Sequence, residues 1–526
     1  MRHLTLSTLC AMVALTFANP TEAAAYRIGL NFAGSKFGTE VQASPADGNG
    51  AIGPNHFVEF INGRFAVYAK TTGTRVKNSD DVTFWARAGV TLTTGYAVSD
   101  PRVIYDPVSS RWFASMVDFK TSAPGSANHF LIAVSATSDP TGTWRGISFA
   151  PDITTSYFGD FPTLGIDASG VYISAFMFDN AGNSKGSVID AIPKSSLLTI
   201  PPTTTGIKRS GVQSFATRGQ VVQPAVTTGS PTTPEVMLAI GDLGLDFKGH
   251  DTVVLSETSA LTLGAATTIT VPTYFVPINP PQPNGWDGLD DGDGRISGMV
   301  RRVGDIVYGV HGTQIDPNPS STNNGIAALQ WFKIDAVSKT LLDTGIIQDP
   351  VMDLFYGSIA ANEAGDVVIT CNGCSTNTFI SSFAYIAHVK DGKLAFSGPK
   401  LLKAGTASYE TDTDITDRWG DYSATSVDPN DPNRFWAIHM IPIATTIWTT
   451  QITQIILGVP ALSAVFDGAN LTLSWTDTQE VHLETSPDLS AGSWQSVAAV
   501  PAVSGGVASV TVGAASGNAF FRLAED

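Results

Sequence analysis

Residues 160–174 read Asp160-Phe-Pro-Thr-Leu-Gly-Ile-Asp167-Ala-Ser-Gly-Val-Tyr-Ile-Ser174. This order indicates a turn, a short apolar strand, a hairpin and a second strand. The same order recurs in copies that begin near residues 47, 100, 160, 220, 293, 355 and 421. A period of about 60 residues with several short strands per unit is typical of β-propeller blades. We therefore predict an all-β fold built around a seven-bladed β-propeller.

Composition excludes several classes of protein. The chain has 526 residues, of which 43% are hydrophobic and 15% are charged, which is too apolar for a disordered protein or a coiled coil. Its 50 glycines and 30 prolines suit many turns between short strands. The formal net charge of -17 argues against nucleic acid as a partner, because binding its backbone needs a basic surface.

Three regions are predicted along the chain. Residues 1–25 have the pattern of a signal peptide, with a basic start, an apolar stretch and a small-residue cleavage site that ends at Ala25. We expect a secreted protein without a membrane span, since no stretch has the required apolar length. Residues 26–458 form the propeller, and Tyr26 to Phe32 is a candidate strand to close its ring.

Residues 459–526 carry about five alternating strands and predict a small immunoglobulin- or fibronectin-like β-sandwich. This region resembles the C-terminal modules of secreted bacterial proteins, through Leu473-Ser-Trp475 and Phe520-Phe-Arg-Leu523. The resemblance implies a role in presentation, sorting or surface attachment. We expect the whole protein to be a monomer.

Two cysteines remain after the predicted cleavage, in Cys371-Asn-Gly-Cys374. Asn-Gly is a strong signal for a two-residue turn, and export favours oxidation. We predict a disulfide between Cys371 and Cys374 across this turn.

A carboxylate precedes the first strand in five of the repeats. The repeat alignment assigns one equivalent position to Asp47, Asp100, Asp160, Asp293 and Asp421. The first strand of a blade lines the central channel, so these side chains are expected to ring one mouth. Arg102 and Arg295 follow their Asp at a spacing that puts both on one strand face, and Arg418 lies three residues before Asp421. By contrast, the hairpin residues Asp106, Asp167 and Asp428 are predicted to form turns.

The three arginines, with Thr137-Ser-Asp139-Pro-Thr-Gly142-Thr-Trp144, resemble the sialidase or BNR-repeat propellers. In that family an arginine triad binds a substrate carboxylate and a tyrosine is the nucleophile. The resemblance implies that the arginines clamp an acidic sugar, with Tyr356 or Tyr422 as nucleophile and Asp100 or Asp160 as acid. The chain is also similar to large secreted bacterial propeller proteins, through Gly53-Pro-Asn-His56, Ser99-Asp-Pro-Arg102 and Arg418-Trp-Gly-Asp-Tyr422.

Three functions stay open at this point. The first is binding of an acidic glycan at the channel mouth, with or without hydrolysis, where Trp419 is a candidate to stack on a sugar. The second is a non-catalytic adhesion or scaffold role in which the Asp/Arg ring is structural. The third is a polysaccharide lyase with Tyr356, Tyr422 or a histidine as base and arginine to neutralise the uronate.

One acidic segment raises the question of a metal. An EF-hand alignment of residues 287–297 fails, because Leu289 and Val300 fall where carboxylates are required. A looser structural calcium site that uses Asp287, Asp290 and Asp291 is compatible with the sequence. No catalytic metal and no organic cofactor are expected.

Overall fold

The computed structural model describes residues 25–283, 288–315, 325–390, 392–410, 417–460, 462–467, 469–476, 481–504, 507–513 and 519–525. Strands make up 58% of the structure and helices 3%. The chain forms two compact units. The larger contains residues 30–386 and 398–454, and the smaller contains residues 25–29, 387–397 and 455–525. The predicted signal peptide lies almost wholly outside the described residues and stays a prediction.

The first half of the chain forms mainly antiparallel hairpins, and one short parallel strand, Val226–Thr228, leaves the chain order. They are preceded by β1 (Tyr26–Lys36). The first two sheets consist of β2 (Asn49–Ile52), β3 (His56–Ile61), β4 (Arg64–Ala69) and β5 (Arg75–Ser79), and of β6 (Tyr96–Asp106), β7 (Arg111–Lys120), β8 (Phe130–Ser135) and β9 (Trp144–Phe149). The next strands are β10 (Phe158–Ile166), β11 (Gly170–Phe178), β12 (Ser184–Pro193), β13 (Lys208–Arg209), β14 (Gln220–Pro224), β15 (Val226–Thr228), β16 (Val236–Ile240), β17 (His250–Ser259) and β18 (Thr262–Tyr274). Three short helices occur here, namely α1 (Asp81–Arg87), α2 (Lys194–Leu197) and α3 (Phe215–Arg218).

The second half continues the pattern. Its strands are β19 (Leu289–Asp290), β20 (Arg301–Val303), β21 (Ile306–Ile315), β22 (Ile326–Asp335), β23 (Thr340–Ile347), β24 (Asp353–Ala361), β25 (Val367–Ser375), β26 (Thr378–Lys390), β27 (Lys393–Phe396), β28 (Lys400–Lys403), β29 (Asp417–Arg418), β30 (Ala424–Asp428), β31 (Asp431–Ala444) and β32 (Ile447–Leu457). One sheet has nine strands in the order β13-β12-β11-β10-β15-β20-β21-β22-β23, and β15 pairs in parallel with both β10 and β20. The other sheet orders are β14-β16-β17-β18, β24 to β27 with β28 beside β26, and β30-β31-β32-β1. The N-terminal strand β1 lies at the edge of the last of these sheets, beside β32, and it contains the candidate strand Tyr26 to Phe32.

The first strands of successive sheets lie side by side. Within the larger unit, the amide of Val103 on β6 donates to Asn49 Oδ1 on β2 at 3.0 Å, and the amide of Thr425 on β30 donates to Ser358 Oγ on β24 at 2.8 Å. The amide of Ile52 on β2 donates to Ser426 Oγ on β30, so the last sheet meets the first. These contacts arrange the sheets as a β-propeller, in which each first strand faces the centre.

The sheets are held together by apolar layers. Between the first two sheets, Phe60, Phe65 and Trp112 are fully buried together with Phe84 and Trp85 of α1. The rings of Phe65 and Phe84 stack with centroids 4.5 Å apart. Burial of each such ring contributes about 2–3 kcal/mol, so the packing of blade on blade carries much of the stability.

The hairpin aspartates act as turn formers, which confirms the prediction for them. Asp167 Oδ1 accepts the amides of Ser169 and Gly170, both at 2.7 Å. Asp106 and Asp428 accept amides of their own turns in the same way. A carboxylate at this place satisfies backbone donors that the tight turn leaves unpaired.

The repeat alignment of the other aspartates needs a correction. Four first strands contain a β-bulge, and one residue of each bulge has a left-handed φ: Asp100 (61°), Phe161 (50°), Val221 (57°) and Tyr356 (48°). Asp47 has the same conformation (φ 50°) two residues before β2. Asp100 and Asp47 thus match each other, whereas Asp160 lies one residue earlier in its strand. The strands of Asp100 and Asp160 both have a bulge of the same length, and the residue that matches Asp100 within it is Phe161.

The cysteine prediction is also wrong in this structure. Cys371 and Cys374 are both buried free thiols within β25, where Asn372 and Gly373 pair with Phe355 and Leu354 instead of forming a turn. Three residues along an extended strand span about 10 Å and reverse the side-chain direction, which is incompatible with a disulfide.

The smaller unit contains a separate apolar core. Two sheets, β33 (Ser463–Phe466)-β34 (Asn470–Thr476)-β38 (Val507–Gly513)-β37 (Ala502–Ser504) and β36 (Gln495–Ser496)-β35 (Val481–Ser486)-β39 (Phe520–Glu525), contribute to it. Its buried members are Leu473, Trp475, Leu483, Ala508 and Val510. None of the helices in the described part of the chain has the length and hydropathy of a membrane-spanning segment.

Candidate functional site

A cluster of acidic, basic and aromatic side chains lies where the first strands begin. Asn62, in the β3–β4 turn, links two of its aspartates. Asn62 Nδ2 donates to Asp47 Oδ2 at 2.8 Å, and the amide of Asp100 donates to Asn62 Oδ1 at 3.1 Å. Asp47 Oδ1 also accepts the amide of Asp421 at 3.0 Å. Three blades are thereby joined through buried polar groups.

Arg102 occupies the base of this cluster. Its side chain is fully buried, and its guanidinium donates to the carbonyls of Pro162 at 3.0 Å and Ser297 at 3.2 Å. The guanidinium carbon lies 3.6 Å from the ring centre of Tyr422, and that ring packs on Phe161 at 4.6 Å. Arg102 therefore ties blades together and is out of reach of a ligand at the surface.

The other two arginines lie nearer to solvent, each with a carboxylate. Arg295 binds Asp293 through two hydrogen bonds of 2.8 and 2.7 Å and stacks over Phe161 at 4.4 Å. Arg418 Nη2 lies 2.8 Å from Asp421 Oδ2, and its side chain is 55% exposed. The predicted clamp of three arginines is thus divided into a buried Arg102 and a partly exposed pair.

The short parallel pair β19–β29 explains the position of Arg418. It aligns Asp290 with Arg418, and the Arg418 Nε lies 3.8 Å from Asp290 Oδ2. Asp421 raises the pKa of Arg418, so this arginine stays charged. We refer to Asp160, Asp290, Arg295, Arg418 and Asp421, all of which have some exposure, as the rim.

Burial changes the acid strength of the carboxyl groups. It raises the pKa of Asp100 to about 7, with a further contribution from the charge of Asp160. Burial also raises the pKa of Asp160, and it raises that of Asp47 well above the usual range, with Asp421 adding to the effect. Negative charges repel one another strongly in a site with little water. The cluster therefore holds some of its carboxyl groups in the protonated form, and its negative charge is smaller than the number of carboxyl groups.

The two candidate tyrosine nucleophiles are buried. The Tyr422 hydroxyl donates to Asp100 Oδ2 at 3.1 Å, and the Tyr356 hydroxyl donates to the Asp290 carbonyl at 3.1 Å. Burial raises the pKa of both phenols well above its usual value. Neither hydroxyl is placed or ionised as a surface nucleophile or a lyase base would need to be.

Trp419 is likewise covered. Only 3% of its surface is exposed, its indole N–H donates to Asn372 Oδ1 at 3.3 Å, and its ring packs edge-on against Tyr409 at 5.0 Å. In this conformation the ring stabilises the apolar layer and is not open to a sugar.

The acidic segment after β19 contains an unusual buried group. Asp291 is 5% exposed, and neither of its carboxylate oxygens has a hydrogen-bond partner among the described residues. Burial raises the pKa of Asp291 well above the usual range, and Asp290 adds to this. With Asp293 it lines a very small cavity. Asp287, the third residue of the calcium prediction, lies outside the described residues.

Sequence reasoning missed two members of the cluster. Asn62 belongs to an Asn-Gly turn, a signal that could have placed it beside the first strands. Phe161 follows Asp160 directly, and its left-handed conformation turns its ring between Arg295 and Tyr422. The structure does bring Asp47, Asp100, Asp160, Asp293 and Asp421 together with the arginines, although through different strand positions.

Comparisons with known proteins give structural similarity only. No protein-family pattern and no curated protein matches the chain. Among solved structures, an alpha-L-arabinanase from Penicillium chrysogenum complexed with arabinobiose is 10% identical, with a TM-score of 0.37, and the match covers 82% of this chain and 96% of that one. Drosophila Semaphorin 1b, extracellular domains 1-2, is 7% identical over 82% and 88% of the two chains (TM-score 0.36). An N-acetylgalactosamine deacetylase from F. plautii is 8% identical over 83% and 94% (TM-score 0.31).

Proposed function

We propose that this protein binds a glycan at the rim. The observation that carries the proposal is the half-exposed guanidinium of Arg418, which lies beside Asp421 and Asp290 at the surface of a rigid, buried cluster. Paired carboxylates and guanidinium groups on a fixed frame suit the hydroxyl pairs and carboxylates of a sugar chain. The buried layer below the rim supports this role because it holds these side chains in place.

Glycan cleavage is a second candidate, supported by the acid strength of two carboxyl groups. With a pKa of about 7, Asp100 is partly protonated at neutral pH, and the charge of neighbouring Asp160 contributes to this shift. Two carboxyls with different environments are the usual equipment of a glycoside hydrolase. Tyr422 covers Asp100, so hydrolysis requires that this ring move aside.

The architecture that we propose around this site follows the sheet order. Seven blades are inferred from the strand groups that begin with β2, β6, β10, β14, β20, β24 and β30, where the groups of β10 and β20 are two halves of the nine-stranded sheet. The two small sheets of the smaller unit suit the predicted β-sandwich, which we propose as an attachment module. Secretion after cleavage near Ala25 and a monomeric state remain proposals from the sequence.

The test measures affinity for an acidic and a neutral polymer. We expect retardation of the wild-type protein in gels that contain polygalacturonate, and about tenfold weaker binding by Arg418→Gln, since one charged hydrogen bond contributes about 1.5–3 kcal/mol. The matched control is Arg434→Gln, because Arg434 is also partly exposed and pairs with an aspartate three residues away, at 2.7 Å.

The outcomes separate the candidates. Equal binding by wild type and Arg418→Gln contradicts the rim as the binding site. Binding of neutral galactan in place of polygalacturonate keeps a glycan site but removes the acidic ligand. Release of reducing ends by wild type, lost in Asp160→Asn, would establish cleavage. No binding and no release would leave the scaffold role.

A further inference from the structure

A second concavity lies at the opposite ends of the first strands. The cluster described above is located where these strands begin, and this cavity is located where they end. Its volume is about 400 Å³, within the range of small-molecule sites. Residues from β2, β6, β15, β20, β24 and β30 line it, so it is a central feature of the propeller.

The lining is mainly apolar. Its walls include Ala51, Ile52, Val103, Ile104, Val226 and Val427. A sugar hydroxyl group that faced these apolar side chains would lose its hydrogen bonds to water without a replacement, at a cost for each. The cavity therefore suits a ligand with an apolar body.

One charged group in these walls, Arg301, forms no ion pair with any carboxylate in the described part of the chain. Its guanidinium donates to the Thr425 carbonyl, and its Nε has no hydrogen-bond partner among the described residues. Burial lowers the pKa of Arg301 to about 10, and no described carboxylate counteracts this shift. At neutral pH the group is still a cation, in a place where a cation is costly.

The neighbouring residue, Arg302, is an arginine whose guanidinium group has hydrogen-bond partners. Arg302, on the other face of β20, donates to the carbonyls of Gly304 and Pro234, to Thr233 Oγ1 and to Asp305 at 3.1 Å. The same strand thus provides full partners for one arginine and leaves the other directed to the cavity.

The carboxylates in the lining do not neutralise Arg301. Asp428 is held by Lys70, whose Nζ lies 2.6 Å from Asp428 Oδ1. Glu363 is exposed at the edge. Among the described residues Arg301 is therefore a cation of the cavity wall that neither of these carboxylates pairs with.

We propose that this cavity binds a small apolar monocarboxylate, with its carboxylate on the Arg301 guanidinium and its hydrocarbon body against the apolar walls. A planar guanidinium pairs with a carboxylate through two parallel hydrogen bonds. A single cation matches a single negative charge, which disfavours di- and triphosphates. This site is separate from the rim and does not depend on the proposed glycan function.

The experiment uses decanoate as the probe and decanol as its neutral counterpart. Isothermal titration calorimetry of the full chain is expected to show one decanoate per protein and at least about tenfold weaker binding of decanol. This comparison needs no variant, so a folding defect cannot obscure it.

Variants then locate the site. Arg301→Met is expected to lose at least about tenfold in decanoate affinity and to bind decanol as the wild type does, and Arg301→Lys is expected to retain part of the difference. Arg87→Met, an exposed arginine on α1, is the control and should bind as the wild type does. Equal affinity for decanoate and decanol in the wild type, or unchanged decanoate affinity in a folded Arg301→Met, would overturn the proposal.

Discussion

The substitution Asp100→Asn tests the electrostatics of the cluster directly. Asp100 has a pKa of about 7 in the folded protein because it is buried beside other carboxyl groups. An unfolded aspartate has a pKa of about 4. The difference of about three units, at about 1.4 kcal/mol each, corresponds to roughly 4 kcal/mol of unfolding free energy.

The direction of the pH dependence of stability follows from which state, folded or unfolded, binds the Asp100 proton more tightly. The folded state has the higher pKa, so the contribution of Asp100 to stability is fully present below about pH 4. It is lost as the pH rises to about 7. Asparagine carries no charge and can still accept the Tyr422 hydroxyl. We therefore expect Asp100→Asn to match wild type near pH 4 and to exceed it by about 4 kcal/mol at pH 8.

The assay is equilibrium urea unfolding, followed by tryptophan fluorescence between pH 4 and 8. The control is Asp106→Asn, another buried aspartate, which is paired with Lys194 at 2.8 Å. Breaking that pair should destabilise the protein by about 3 kcal/mol or more. If Asp100→Asn is less stable than wild type at pH 8, or if the difference between the two does not change with pH, the reasoning about Asp100 is refuted.

Three further predictions concern other buried groups. Arg102→Met should lower the unfolding free energy by about 3 kcal/mol, whereas Arg418→Met should change it by less than about 1 kcal/mol; equal effects in urea unfolding would contradict the assigned burial. Asp291→Asn should raise the Tm at neutral pH in EDTA, because it removes a buried carboxylate without partners. Calcium chloride should raise the Tm of wild type but not that of this variant. A calcium effect of equal size on both Tm values would place any metal elsewhere. Cys371 and Cys374 should react with a thiol reagent only after unfolding, and reductant should leave the Tm unchanged; one missing thiol pair in the unfolded protein would contradict the free-cysteine structure.

Local signals in the sequence were sufficient to predict the repeat and its turns. Asp167-Ala-Ser-Gly forms the hairpin that its composition predicts, because the carboxylate satisfies amides two and three residues away. The alternation of short apolar runs likewise predicted β-strands. Side chains alternate in direction along a strand, and this alternation can be read from consecutive residues.

Identical local signals failed where packing overrode them. Asn62-Gly63 forms a two-residue turn, whereas Asn372-Gly373 continues a buried strand. The local preference for a turn is small compared with the apolar burial that a central strand gains from neighbours distant in sequence. The same override removed the predicted disulfide.

The amino-acid sequence by itself determined the all-β repeat, the turn aspartates and the set of acidic and basic residues near the blade starts. Only the tertiary structure decided which of these residues are accessible. Asp160 lies one position before the residue that matches Asp100, the ring of Tyr422 covers Arg102, and the side chain of Arg418 is exposed to solvent. The tertiary structure also decided that Arg302 pairs with Asp305 and with Thr233 and Pro234, whereas Arg301 has no carboxylate partner among the described residues, because neighbouring side chains on a strand face opposite sides.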